Sequence, residues 1–147
     1  PLPMATESDP VVVEQRYSAS LADVWRAMAE KDQMRQWFFE QMTEFEPKVG
    51  FETQFTVHCE GTDFLHQWKV IDVDREKRIA YEWCYGGYPG DSVVTWDLSE
   101  EGDVTKLTLT QTGQETFQGH SVFSRENGIA GWSYFLQESL KAFLSAR

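Results

Sequence analysis

From Phe51 to Gln111, apolar and polar side chains alternate along the chain with a period of two. Such alternation predicts half-buried strands whose apolar side chains share one face of a sheet. Turn-forming residues interrupt the pattern at 60–63, 74–77, 86–90 and 100–103. The pattern therefore predicts five consecutive strands joined by short connections, which is typical of an antiparallel meander. The adjacent apolar residues Val70 and Ile71 break the alternation and predict a β-bulge.

The segment before this region predicts one strand and two short helices. Val11–Ser18 begins with β-branched residues and then alternates, which predicts a strand. Ser20 is placed to cap a first helix, in which apolar residues recur at helical spacing. Asp32 is expected to cap a second, short helix that carries Trp37. A connection over 38–46 then leads into the alternating region.

The last segment, Arg125–Ala146, has the apolar spacing of an amphipathic helix. One stripe along it is predicted to be buried: Ile129, Trp132, Leu136, Leu140 and Phe143, widened by Phe135 and Leu144. Gly128 and Gly131 lie near the start of this helix, although glycine in a helix interior costs about 1 kcal/mol relative to alanine. They indicate either that the helix starts later or that another backbone packs closely against it.

The element order β-α-α-β-β-β-β-β-α predicts an α+β fold. The C-terminal helix is the only predicted element long enough to cover the apolar face of the sheet. We therefore expect a curled, six-stranded antiparallel sheet that grips this helix. Residues 1–9 are polar, contain prolines and lack periodicity, so we expect a loose N-terminal arm followed by one domain over 10–147.

The net charge and the cysteine content limit the classes of binding partner and the cellular location that we expect for the protein. The formal net charge is −11, which disfavours nucleic acids and anionic membranes as partners. The two cysteines, Cys59 and Cys84, do not make a disulfide framework and are expected to be free thiols. We see no signal-peptide layout and no apolar run long enough for a transmembrane helix, so we expect a cytoplasmic protein.

Aromatic residues are abundant, with six Trp, five Tyr and ten Phe among 147 residues. Strand parity and helical spacing direct many of them into the space between sheet and helix, where they either fill the core or line a ligand pocket. The candidate ligand-binding residues are Trp37, Phe55, His66, Trp68, Tyr81, Trp83, Tyr85, Trp96, Trp132 and Phe135.

His66, Tyr81 and Tyr85 are the polar members of this set. A buried tyrosine hydroxyl or histidine ring needs a hydrogen-bond partner, which either the protein core or a ligand supplies. Histidine also titrates near neutral pH, so His66 is a candidate for proton transfer as well as for ligand binding.

We find no motif that predicts catalysis, a cofactor or a metal ion. His58 and His66 are predicted on opposite faces of neighbouring strands, and His120 lies in an irregular connection, so the histidines do not converge as zinc ligands. The glycine-rich segment 86–90 does not open a helix and therefore predicts no phosphate site. It is interpreted as a hairpin loop, with a mobile gate at a cavity mouth as the alternative.

Several short segments, taken in order, resemble one known family. They are Glu14-Gln15-Arg16, Val24-Trp25, Trp37, Pro47-Lys48-Val49-Gly50, Tyr81-Glu82-Trp83, Val94-Thr95-Trp96-Asp97-Leu98, Thr105-Lys106-Leu107-Thr108-Leu109 and Gly131-Trp132. The chain resembles, from about Val11 to Leu144, homologues of the activator of the ninety-kilodalton heat-shock chaperone's ATPase. That family lies within the START-like (SRPBCC) superfamily, whose helix-grip fold has the same element order.

The resemblance implies a cavity for a small hydrophobic or aromatic molecule, and we take ligand binding without assigned catalysis as the first functional hypothesis. The family name suggests a second hypothesis, in which the protein is a co-chaperone-like regulator that binds a chaperone or another protein. A third hypothesis is a cavity enzyme of cyclase or hydrolase type that uses His66 with Tyr81 or Tyr85.

Overall fold

The alternating region folds as the predicted meander, and the first strand of the chain pairs with the last strand of that meander. A computed structural model describes Thr6 and residues 8–146. The strands are β1 (Val11–Tyr17), β2 (Glu52–Cys59), β3 (Thr62–Asp74), β4 (Arg78–Gly86), β5 (Ser92–Glu101) and β6 (Val104–Thr112). Their order across the sheet is β1-β6-β5-β4-β3-β2, and every neighbouring pair is antiparallel. The predicted bulge is confirmed by a register shift between Val70 and Asp72.

Two short helices connect β1 to β2. They are α1 (Leu21–Ala29) and α2 (Lys31–Trp37). The predicted cap of α1 is confirmed, because the backbone N–H of Asp23 donates to Oγ of Ser20 at 3.1 Å. The predicted cap of α2 is wrong. Glu30 takes that place through its backbone carbonyl, and Asp32 lies in the first turn, where its negative charge complements the helix dipole.

The C-terminal segment is helical throughout, with a change of pitch in the middle. Two 3₁₀ turns (Gln114–Thr116 and Ser121–Phe123) precede α3 (Arg125–Ser133), a π-helical segment (Tyr134–Ser139) and α4 (Leu140–Ser145). We call α3, the π-helical segment and α4 together the C-terminal helix. Trp132, Leu136 and Leu140 are buried at a spacing of four. A π turn contains more residues than an α turn, which keeps side chains at this spacing on one face.

The prediction that Ile129 belongs to the buried stripe is wrong, because this residue is 39% exposed. The inward positions at the start of the helix are instead Gly128, Gly131, Trp132 and Phe135. Their i, i+3, i+4, i+7 spacing is that of one helix face. Because glycine has no apolar side chain, the apolar spacing does not mark Gly128 and Gly131 as inward positions and marks the neighbouring Ile129 instead.

Two hydrogen bonds fix the position of the C-terminal helix. The Tyr17 hydroxyl on β1 donates to the Leu136 carbonyl at 2.6 Å, and Oγ of Ser139 donates to the Trp37 carbonyl at 2.5 Å. The helix is thereby attached to the sheet on one side and to α2 on the other. The predicted α+β helix-grip architecture is confirmed by this arrangement of sheet and helix.

Most of the predicted N-terminal arm over 1–9 lies outside the described residues. The assignment of 10–147 to one domain stays a prediction. No helix in the described part of the chain is both long enough and apolar enough to cross a membrane.

Candidate functional site

A cavity of about 280 Å³ lies between the inner face of the sheet and the first turns of the C-terminal helix. Strands β2, β3, β4 and β6 supply one wall, and α3 supplies the other. Phe39, from the connection after α2, closes one side. Asn127 lines the cavity and is exposed, so the cavity reaches the surface beside it.

His66 on β3 lines the cavity and is enclosed by aromatic rings. The ring of Phe55 stacks on it with centroids 5.1 Å apart and an interplanar angle of 20°. Phe39, Trp83 and Tyr85 surround it at centroid distances of 5.2, 5.4 and 4.9 Å. These neighbours leave His66 only 6% exposed and its imidazole in an apolar environment.

The backbone fixes which nitrogen of His66 carries the proton. Nδ1 lies 3.1 Å from the carbonyl oxygen of Phe64. Since a carbonyl accepts but does not donate, Nδ1 carries the proton in the neutral ring and Nε2 keeps a lone pair. Burial lowers the pKa of His66 to about 4, so the ring is neutral at pH 7. His66 therefore offers a hydrogen-bond acceptor without a positive charge.

Tyr85 lines the cavity beside His66. Burial raises the pKa of Tyr85 to about 12. The buried indole N–H of Trp83, which also lines the cavity, has no hydrogen-bond partner among the described residues. A catalytic acid or base works best when its pKa is near the working pH. His66 and Tyr85 are shifted away from neutrality in opposite directions, so the pair is suited to hydrogen bonding rather than to proton transfer.

Three buried hydrogen bonds connect the helix wall of the cavity to the sheet. Nε1 of Trp132 donates to Oε1 of Gln111 at 2.9 Å. Nε2 of Gln111 donates to Oγ of Ser92 at 3.1 Å, and Ser92 donates to the Trp83 carbonyl at 2.8 Å. The chain of bonds runs from α3 through β6 and β5 to β4, and it holds the two indole walls in place.

Gly128 and Gly131 face the cavity from α3. A Cβ atom built on either glycine meets no heavy atom within 4 Å. The prediction that a backbone packs closely here is therefore wrong. The alternative of a later helix start is also wrong, because the helix begins at Arg125 with Ser124 as its cap. The two glycines leave open space where side chains would otherwise stand.

The segment between β6 and α3 covers the end of the cavity with aromatic rings. Phe123 lies 5.7 Å from Phe64 and 4.9 Å from Tyr85, measured between ring centroids. Tyr88, from the glycine-rich loop, packs against Phe64 at 5.5 Å and against Phe123 at 5.1 Å. The loop over 86–90 connects β4 to β5 as the predicted hairpin loop, and its movement as a gate stays a prediction.

Half of the candidate ligand-binding residues line the cavity, namely His66, Trp83, Tyr85, Trp132 and Phe135. The other half, Trp37, Phe55, Trp68, Tyr81 and Trp96, are buried in the aromatic core beside it. Phe38, the residue after α2, separates Trp68 and Trp96 from the cavity. Its ring centroid lies 5.7 Å from that of Trp68, 5.4 Å from Trp96 and 5.9 Å from Trp132, so it fills the space under the middle of the sheet.

Ten further residues line the cavity and are not among the candidates predicted from the sequence. The strand residues among them are Val57, Cys59, Phe64 and Gln111. The strand alternation could have identified these four residues as inward-facing, because each lies two positions along its strand from another inward-facing residue. The others are Phe39, Val122, Phe123, Asn127, Gly128 and Gly131. Among these six, only the two glycines stand out in the sequence, because glycine is unfavourable in a helix interior. The other four lie in irregular segments or at the helix start, where no pattern predicts which way a side chain points.

The described residues contain no group of three His, Cys, Asp or Glu side chains placed to hold a metal ion. Cys59 and Cys84 are free thiols. Cys59 lines the cavity, whereas the Sγ of Cys84 lies 3.8 Å from Oε1 of Gln67 outside it, and burial raises the pKa of Cys84.

Solved structures with this architecture come from several bacteria. Protein Mll3558 from Rhizobium loti is 24% identical, with a TM-score of 0.76 over 92% of this chain and 96% of that chain. CalU16 from Micromonospora echinospora is 27% identical, with a TM-score of 0.64 over 92% of this chain and 76% of that chain. DynU16, a protein in the dynemicin biosynthetic locus, is 22% identical, with a TM-score of 0.73. The match covers 93% of this chain and 47% of DynU16.

No curated protein matches the sequence. The profile of one family, described as activator of Hsp90 ATPase homolog 1-like protein, matches residues 18–145. This match spans most of the chain and confirms the resemblance predicted from its short segments. The chain belongs to the family of activator of Hsp90 ATPase homolog 1-like proteins.

Proposed function

We propose that the protein binds a small apolar or aromatic molecule in the cavity between the sheet and the C-terminal helix. The observation that carries this proposal is a cavity of about 280 Å³ whose walls are aromatic and whose buried polar groups are few and fixed in place. Small-molecule sites in proteins combine apolar walls with a small number of placed polar groups.

The two glycines of α3 support this proposal. Alanine at either position would stabilise a helix interior by about 1 kcal/mol relative to glycine. Because a Cβ atom at Gly128 or Gly131 would meet no heavy atom within 4 Å, packing does not require glycine there. The open space that the glycines leave is accounted for if a ligand occupies it.

One of the structurally similar proteins is consistent with a role in small-molecule chemistry. DynU16 is a protein in the dynemicin biosynthetic locus, and this chain matches about half of its length. That context, together with the apolar cavity, favours ligand binding over a surface role. The raised pKa of Tyr85 and the lowered pKa of His66 argue against the cavity enzyme as the main activity.

The proposal is tested by filling the cavity. Purified protein is titrated with toluene and naphthalene while the melting temperature and the Trp fluorescence are followed. Naphthalene at 100 times its dissociation constant should stabilise the wild type by about 2.7 kcal/mol. The variant Gly131→Leu places a side chain in the cavity and should lose this stabilisation.

The matched control is Ala130→Leu, which adds a larger side chain at the preceding, exposed position of the same helix. It should retain the full response to naphthalene. Equal responses of wild type, Gly131→Leu and Ala130→Leu would contradict the proposal, as would the absence of any response in the wild type.

A further inference from the structure

The volume of the cavity matches about two aromatic rings. A cavity of about 150 Å³ in a protein core accommodates one benzene molecule. The cavity described above has a volume of about 280 Å³, nearly twice that value. A bicyclic aromatic molecule therefore fills it, whereas a single ring leaves much of the wall without contacts.

The lining excludes a charged ligand. Among the described residues that form the cavity wall, none is Lys, Arg, Asp or Glu. A carboxylate or an ammonium group would lose its hydration there without gaining an ion pair, and burial of an unpaired charge is strongly unfavourable. The net charge of −11 further disfavours an anion.

Gln111 and His66, two polar residues of the wall, differ in whether their side-chain atoms already have hydrogen-bond partners. Oε1 of Gln111 already accepts from Trp132, and Nε2 of Gln111 donates to Ser92. The Nδ1–H of His66 is committed to the Phe64 carbonyl. Nε2 of His66, on the same ring, is a lone-pair acceptor to which no described residue donates a hydrogen bond. The partner that suits it is a hydrogen-bond donor on the ligand.

We propose that the ligand is an uncharged bicyclic aromatic molecule that donates one hydrogen bond, from a hydroxyl or an N–H group, to Nε2 of His66. This inference rests on the proposed function and specifies its ligand class. Phe55, stacked on one face of the imidazole, and Phe39 at 5.2 Å hold the ring in its orientation, so the acceptor is fixed before the ligand arrives.

Four probes of similar shape separate the contributions of size, hydrogen bonding and charge. They are naphthalene, 2-naphthol, 2-methoxynaphthalene and 2-naphthoate, each titrated by calorimetry at pH 7. 2-Naphthol can donate a hydrogen bond, whereas 2-methoxynaphthalene has the same oxygen without a donor. We expect 2-naphthol to bind about tenfold more tightly than 2-methoxynaphthalene. We expect 2-naphthoate to bind at least about 100-fold more weakly than 2-naphthol.

The variant His66→Phe keeps a ring in the same place and removes the acceptor. It should bring the affinities for 2-naphthol and 2-methoxynaphthalene to within about threefold of each other. A second measurement uses the wild type alone, in case this variant does not fold. The ¹⁵N resonance of His66 Nε2 should move when 2-naphthol binds and should move much less with 2-methoxynaphthalene.

The outcomes distinguish this inference from the proposed function. Binding of naphthalene with no preference for 2-naphthol, or an Nε2 resonance that does not respond to 2-naphthol, would overturn the inference and leave the proposed function standing. Tight binding of 2-naphthoate would also overturn it. Failure of all four probes to bind would count against both.

Discussion

The indole nitrogen of Trp132 donates a hydrogen bond of 2.9 Å to Oε1 of Gln111, and this bond joins the C-terminal helix to the sheet at the floor of the cavity. Both residues are buried, so the bond forms in an environment of low polarity. The cost of leaving either group without a partner is high in such an environment. The bond therefore maintains the separation of the helix from the sheet that creates the cavity.

Gln111→Leu removes the acceptor of Trp132 and the donor to Ser92. We expect the free energy of unfolding to fall by about 1–3 kcal/mol, because a buried indole N–H loses its partner. Chemical denaturation of wild type and variant measures the difference. The control Gln137→Leu, at an exposed position of the C-terminal helix, should change stability by less than about 0.5 kcal/mol.

The double variant Gln111→Leu with Trp132→Phe removes both partners at once. Its loss of stability should be smaller than the sum of the two single losses, because no donor is then left unpaired. Strict additivity of the two single effects would show that the bond does not couple helix and sheet.

Gly128→Ala and Gly131→Ala should each stabilise the unliganded protein, by about 0.5–1 kcal/mol. Both residues lie in α3, and the added Cβ atoms meet no heavy atom within 4 Å. Thermal unfolding checks this. Gly113→Ala is the opposite case: its φ is +86° and the added Cβ would lie 2.6 Å from the Asp91 carbonyl oxygen, so this variant should be destabilised. Destabilisation by both helix substitutions would contradict the open space assigned to these positions.

His66 should make the stability depend on pH. Its pKa is about 4 in the folded protein against 6.5 as the ordinary value, so the unfolded chain takes up the proton first on acidification. The contribution is fully present above about pH 6.5 and is lost as the pH falls towards 4, by up to about 3 kcal/mol. The rings around His66 carry no charge in this range, since burial raises the pKa of Tyr85.

The measurement is the free energy of unfolding between pH 4 and pH 7 for wild type and His66→Phe. Carboxylates elsewhere titrate in both proteins, so the difference between the two curves isolates His66. The wild type should lose more stability than the variant as the pH falls. Parallel curves would show that the imidazole is not held neutral by burial.

Phe38→Ala should enlarge the space under the sheet. The Phe38 ring separates the cavity wall at Trp132 from the core at Trp68 and Trp96. Its removal should cost about 3–5 kcal/mol of stability. If the protein still folds, anthracene should bind it more tightly than it binds the wild type. Tyr134→Ala, at a position that is 53% exposed, serves as the control and should change neither property appreciably.

The fold could be predicted from the sequence because its signals are local. The alternation of apolar and polar side chains predicts the strands. The adjacent apolar residues Val70 and Ile71 predict the bulge that lies between Val70 and Asp72. Helical spacing identified the long helix, although not its π-helical segment. That segment depends on how Trp132, Leu136 and Leu140 pack on the sheet, which is tertiary information.

The site could be predicted only in part. Strand parity correctly placed His66 and Trp83 on the inward face, but it also placed Trp68 and Trp96 there, and Phe38 covers them. The positions of Phe38 and of Phe39, which closes the cavity, are set by tertiary packing after α2, and no period in the sequence gives them. The division of the inward face into cavity and packed core is therefore not visible in the sequence pattern.

The indole N–H signals of the six Trp residues report directly on whether a ligand binds between the sheet and the C-terminal helix. Trp83 and Trp132 line the cavity, whereas Trp25 lies on α1 and does not line it. In a ¹H–¹⁵N correlation spectrum, saturating naphthalene should shift the Trp83 and Trp132 indole signals most and leave that of Trp25 unchanged. Naphthalene binding that moves Trp25 and leaves Trp83 and Trp132 in place would contradict a ligand site between the sheet and the C-terminal helix.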